Sequence, residues 1–354
     1  MRFYTLGIAG ILLLSIFGLS SASLLPREHH IDAFTSPLQL TPETYVWDAL
    51  AYFGKIKLHS LDKKDTLSNA EIGKSLVFNG SAINPYTGKL SPKLNTVYTC
   101  NACHNSEKEF TTLLDTSAID RFNYAKENNL PYLPANSFYG IVNRVYFFTG
   151  SYQTQYSTEL DFKGAPTNLR KAINFCAQHI AHGRPLEKWE TESILAYLWT
   201  LQLKIKDLNI PEDEMEKIEF AIKEKVSTAR AVNLIENKYK DRYTTNFVAA
   251  MAYRTLDSKT ADSEIRFNNG KKLYELSCMH CHEEKRFAPI ALDYNKKTFQ
   301  LMDKRLQQGH KSSIYKIVRE GSVSKKGCMP FYTQEKFSDE QLIDLRVYVQ
   351  KMAN

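Results

Sequence analysis

The sequence predicts a mainly α fold, and three observations predict it. The pentapeptide C-x-x-C-H occurs twice, at Cys100-Asn-Ala-Cys103-His104 and at Cys278-Met-His-Cys281-His282. Each copy follows one stretch of helical period and precedes another. No alternation of apolar and polar residues persists anywhere along the chain. With 354 residues, the chain can bury two or three modest cores.

The pentapeptides carry the chemistry. Two thiols about one helical turn apart point the same way and can add to the two vinyl groups of one porphyrin. The adjacent histidine then falls under the iron as its fifth ligand. This reading assigns two covalently bound haem c groups, one on Cys100, Cys103 and His104 and one on Cys278, Cys281 and His282. A pair of zinc knuckles is the competing reading, but the two pairs stand much further apart than a zinc ribbon places them.

Taken in chain order, residues 1–22 read as a secretory signal. Arg2 precedes an apolar run from Leu6 to Leu19, and Ser20 and Ala22 supply small residues at the end. Haem attachment to such motifs occurs outside the cytoplasm, so export and a periplasmic location are expected; an uncleaved N-terminal anchor is the alternative. Residues 23–68 form an extension with one helix around Pro42 to Lys57, packed on the first domain.

The first domain, residues 69–203, opens with a helical pattern through Glu71, Ile72, Leu76 and Val77. It closes with a helix from about Leu186 to Leu203, in which Trp189, Ile194, Tyr197, Leu198 and Leu201 follow helical period. Between Phe122 and Phe162 it carries an aromatic-rich insertion that includes Tyr132, Phe138, Tyr146, Phe147, Phe148, Tyr152 and Tyr156. These rings pack around a porphyrin edge or, on a second reading, wall a substrate pocket. Residues 204–263 lack glycine and contain Pro211 before a charged helical stretch, so they read as a helical connector. The second domain, residues 264–354, repeats the order of parts. Asn269 to Tyr274 precede the pentapeptide, and a helix from Ser338 to Lys351 closes it, with Ser338 and Gln341 spaced as a capping box. Small cytochromes c place their first and last helices against each other, and this order of parts resembles theirs. The resemblance implies two cytochrome c-like haem domains joined by a helical connector.

Net charge is +7, and lysines and arginines are scattered without a basic block. Nucleic acid is therefore not an expected partner. A redox protein is, either a soluble cytochrome or a terminal oxidase.

The sixth ligands separate the functional readings. Met329-Pro330-Phe331, just before the closing helix, resembles the methionine loop of small cytochromes c and implies Met329 on the second iron. Met302 and His310 lack that context. No methionine lies between His104 and Met215, so the first domain must find another ligand, and it offers Cys176, His179 and His182. On an α-helix Cys176 and His179 would share a face, with His182 turned further away. Cys176 and Cys328 are also the two cysteines left over, an even pair that could bridge. Cys328 adjoins Met329, which raises a ligand switch at the second iron; Lys326 is a weaker participant.

From Phe138 to about Leu203 the chain resembles the cysteine-ligated haem domain of thiosulfate dehydrogenases, and more loosely the dihaem subunit of the thiosulfate-oxidising Sox complex. The matching residues are Ile173-Asn174-x-Cys176, Gly183-x-Pro185-Leu186, Glu192, and Ala196-Tyr197. The resemblance implies Cys176 as axial ligand and catalytic residue at the first haem, with the second haem passing electrons out through His282 and Met329. It also implies a small sulfur anion such as thiosulfate as substrate. The family's arginines beside the cysteine are replaced here by Ala172 and His179; Arg144, Arg170, Lys171 and Arg184 are the cations near enough in sequence to hold an anion. The alternative is a dihaem electron carrier without catalysis, serving other redox proteins.

Overall fold

The computed structural model describes residues 38–113, 117–148, 156–239, 263–307, 314–324, 327–333 and 336–354. The expected signal segment, Tyr152, His310 and Lys326 lie outside these. The described chain is mainly helical. Its one paired β element is a hairpin of β1 (Ser322–Ser324) and β2 (Gly327–Met329), in which Met329 pairs with Ser322. No described helix is long and apolar enough to cross a membrane.

Two helix crossings organise the molecule. In the first, α2 (Ala70–Asn79) packs on α5 (Lys188–Trp199). Helix α2 starts where Asn69 caps the Ile72 amide, and ends at Gly80 in the left-handed conformation. Helix α5 starts just after its apolar pattern begins, where Glu187 and Glu190 form a capping box, and it ends at Trp199, short of Leu203. Around this pair lie α1 (Val46–Tyr52), α6 (Glu212–Glu224) and α7 (Thr228–Glu236). Val46, Leu50, Leu76, Leu195, Leu198, Ile218 and Ile235 share one buried cluster.

The described parts of the extension and of the connector thus belong to the first core, as burial of their apolar faces requires. Hydrogen bonds pin them: Trp47 Nε1 donates to Val142 O at 3.1 Å, and Tyr52 Oη to Ile222 O at 3.2 Å. Helix α1 spans fewer residues than Pro42 to Lys57, since Thr41 to Tyr45 form a turn before it.

In the second crossing, α8 (Ser263–Leu273) packs on α12 (Asp339–Ala353). The capping box of Ser338 and Gln341 forms as the sequence predicts. Helix α10 (Lys296–Gln307) covers α12, and Leu273, Tyr274, Phe299, Leu345, Tyr348 and Val349 fill the core. Two more helices, α9 (Met279–His282) and α11 (Ile314–Glu320), flank it.

The two crossings share a device. A Cβ on Gly73 would fall on the carbonyl of Ser193 and against Tyr197; one on Gly270 would fall on the carbonyl of Asp344 and against Tyr348. In both, a glycine sits over a carbonyl and over the tyrosine four residues further on.

The packing departs from the division at residue 203. Phe122 and Ala125 of α3 (Ala118–Glu127), with Tyr132, belong to the second cluster. Tyr132 donates its hydroxyl to Ala118 O, and its amide to Leu276 O at 2.9 Å. A segment between the first pentapeptide and its closing helix therefore buries its apolar face against the other core. A smaller cluster of Phe148, Phe162, Ala165, Ala172 and Phe175 sits under α4 (Leu169–Phe175).

Candidate functional site

The first pentapeptide follows an extended Thr99 and winds as a short 3-10 turn, Cys100–Ala102. It borders a cavity with about 1530 Å³ of atom-free space, its open mouth included. Cys100, Cys103 and His104 line it, and so does Cys176. The rest of the wall is largely apolar, with Leu94, Phe138, Phe147, Leu169, Ile180 and Leu198 among its members.

His104 is aimed by its surroundings. Its ring stacks on Phe138, with centroids 4.3 Å apart and planes within 11°. Nδ1 lies 2.6 Å from the carbonyl of Asn136, which can only accept. Nδ1 must therefore carry the proton, leaving Nε2 with its lone pair for a metal. Burial holds the ring neutral by lowering its pKa to about 4.

Cys176 ends α4 and begins a π-turn, Cys176–Ile180, closed by the Ala181 amide on Cys176 O at 2.8 Å. Such wider turns are frequent at functional sites. The winding changes which residues share a face: Cys176, Ala177, Ile180 and Ala181 line the cavity, and His179 does not. His179 instead stacks on Phe175 and approaches Asp161 at 3.5 Å. The α-helical geometry that placed Cys176 beside His179 is not the one formed, and His179 loses its claim as ligand. His182 adopts a positive φ of 55° beyond the turn, off the cavity wall. Cys176 is a free thiol among the described cysteines. Burial pushes its pKa to about 12, so a thiolate here needs a cation to stabilise it.

Three of the four expected anion-holding cations are turned elsewhere. Arg170 grips Glu192 with Nε at 2.5 Å and an Nη at 2.8 Å. Arg184 holds Glu190, which is fully buried, through contacts of 2.8 and 2.5 Å. Lys171 Nζ reaches the carbonyl of Lys163 at 3.4 Å. Arg144 alone of the four lines the cavity, and Lys336, which the sequence did not nominate, lines it too.

The second pentapeptide continues from another π-turn, Tyr274–Cys278, into α9. His282 Nδ1 lies 2.7 Å from Ile290 O, the same carbonyl device as at His104. Met329 ends β2 and packs against the apolar cluster that also holds Cys278 and Met302. The side chain of Cys328 lies outside the described residues.

The two pentapeptides meet. Cys281 Sγ lies 3.9 Å from Ala102 O, and Phe287 packs on the small cluster of Tyr98, Ala102 and Cys103. Tyr332 is buried close to Cys281, Cys278 and Cys103, and donates its hydroxyl to Tyr132 O at 3.2 Å. Sequence gave no sign of Asn136, Ile290 or Tyr332, because each acts through a backbone carbonyl or a distant contact.

Paired thiols, a carbonyl-held imidazole and an apolar cavity fit a haem. Bound there, haem supplies a one-electron iron centre; Cys100 and Cys103 would anchor it and His104 would hold its iron. No curated protein and no solved structure matches the chain. The family model described as "Cytochrome C oxidase, cbb3-type, subunit III" matches residues 266–349, which span α8 to α12 and contain Cys278, Cys281, His282 and Met329. Residues 266–349 thus match a cytochrome c domain, which implies covalently bound haem c and supports an electron-transfer haem protein.

Proposed function

We propose that the chain is an exported, periplasmic dihaem c-type cytochrome with two cytochrome c-like domains. His104 and Cys176 hold the first iron, His282 and Met329 the second, and electrons leave to a redox protein partner. The observation that carries this is Cys176 lining one cavity with Cys100, Cys103 and His104. The matched glycine contacts of the two helix crossings support a second domain of the same kind. The contact of Cys281 with Ala102 favours electron exchange between the sites within one molecule.

Oxidation of a small sulfur anion such as thiosulfate at the Cys176 site is the second reading. A cysteine sulfur in the cavity favours it, and the engagement of Arg170 and Arg184 by Glu192 and Glu190 weighs against it. Mixing oxidised protein with thiosulfate or sulfite separates the two. Reduction within a turnover time that Cys176→Ala abolishes, with both haems retained, supports catalysis. Inertness to sulfur anions with rapid electron exchange to a cytochrome supports carriage alone.

A further inference from the structure

The cavity around His104 is not closed by the first helix crossing alone. Pro330 and Lys336, from the stretch between β2 and α12, line it as well. Lys336 is 3 % exposed, with Nζ 3.0 Å from Glu109 Oε2. Glu109 is fixed in turn by Asn105 Nδ2 at 2.8 Å and the Ser137 amide at 3.2 Å. Arg144 lines the same cavity and donates to Ser137 O, while Arg121 reaches the Asn136 side chain at 2.9 Å. All of these groups gather around the segment that holds His104.

A buried ammonium is costly unless it is paired. Glu109 does not suffice for Lys336. Burial first, then the Arg121 guanidinium, lower its pKa to about 7 despite the glutamate, and Arg144 adds to the effect. The site favours further negative charge at the cavity wall where Lys336 and Arg144 stand. A haem c brings two propionate carboxylates to such a wall.

We propose that Lys336, together with Arg144, binds a propionate of the haem held by Cys100, Cys103 and His104. A side chain from the C-terminal cytochrome domain then completes the other haem's site. This rests on the reading that a haem occupies that cavity. The two can fail separately: an intact mass with no haem on Cys100 and Cys103 ends the reading, while a dihaem protein leaves Lys336 open to test.

The test is a redox titration of the full dihaem protein followed by electron paramagnetic resonance, comparing wild type, Lys336→Met and Lys336→Arg. Loss of the cation favours ferric iron at the first haem. Its ferric-to-ferrous ratio at fixed potential should rise about tenfold, or ~59 mV for a one-electron couple. Lys336→Arg should keep the wild-type potential, and the second haem should shift less. Should Lys336→Met not fold because Glu109 is left unpaired, Lys336→Gln, which loses the charge but can still donate a hydrogen bond to Glu109, carries the same expectation. Unchanged potentials in Lys336→Met and Lys336→Gln overturn the proposal, as does a shift confined to the second haem or a lowered potential that arginine does not restore.

Discussion

Gly270 lies against the backbone carbonyl of Asp344, so close that a Cβ at residue 270 would fall on it. Gly73 stands in the same relation to Ser193. Close approach of two backbones is what lets Tyr348 and Tyr197 pack over these glycines. Alanine at either position should force the crossing apart and cost about 1–3 kcal/mol, read as a lowered midpoint in thermal unfolding. Alanine at Gly88, where the added atom meets nothing within 4 Å, separates crowding from backbone strain: its φ of 69° charges it with strain alone. The helix-crossing variants should therefore exceed whatever Gly88→Ala shows.

Haem content is the next expectation. The intact mass of purified protein should exceed its polypeptide by two haem groups, and the polypeptide should begin after residue 22. Cys278→Ala/Cys281→Ala should lower the mass by one haem and leave the His104 centre loaded. Mass spectrometry checks both statements, and a wild-type excess of one haem would refute the dihaem reading.

Much of this was legible in the sequence where the signal is local. The pentapeptides, the helical pattern through Glu71 to Val77 and the Ser338–Gln341 box are short-range patterns, and the structure forms α2 and the box where they predict. Residue 176 was legible as a candidate because few ligands were available, but not its face. A π-turn is set by packing under α4 rather than by residue order, and it moved His179 off the cavity. The partners of Arg170 and Arg184 were equally hidden. Glu192 and Glu190 are both buried on α5, and nothing in residue order pairs them with Arg170 and Arg184. The placement of α3 on the second core, and of Lys336 in the first cavity, depends on contacts more than 200 residues apart, such as Tyr132 with Gln341 and Lys336 with Glu109.

Arg184 should therefore behave as a structural residue rather than a substrate clamp. Arg184→Gln strands the Glu190 carboxylate, which has no exposed surface. Breaking a buried pair costs about 3–5 kcal/mol, and the partial exposure of Arg184 puts this case at the lower end. Unfolding should weaken accordingly, and Glu190→Gln in the same chain should recover part of the loss. Haem potentials, and any KM for a sulfur anion, should stay near wild type. A large KM increase with unchanged stability would return Arg184 to the role of anion holder.

Cys176→Met is the sharpest test of the coordination itself. Thiolate donates charge to ferric iron and lowers the potential, whereas a thioether favours the ferrous state and raises it. If Cys176 ligates iron, the first haem's potential should rise markedly while the His282 centre keeps its own. Oxidised wild-type protein should show a low-spin resonance with the narrow g-spread of thiolate ligation, absent from the variant. Methionine is larger than cysteine, but its flexible thioether can extend into the cavity that Ala172, Ile173 and Ile180 also line. An unchanged potential and an unchanged resonance would leave the first iron to a ligand other than Cys176, and with it would go the case for sulfur chemistry at this site.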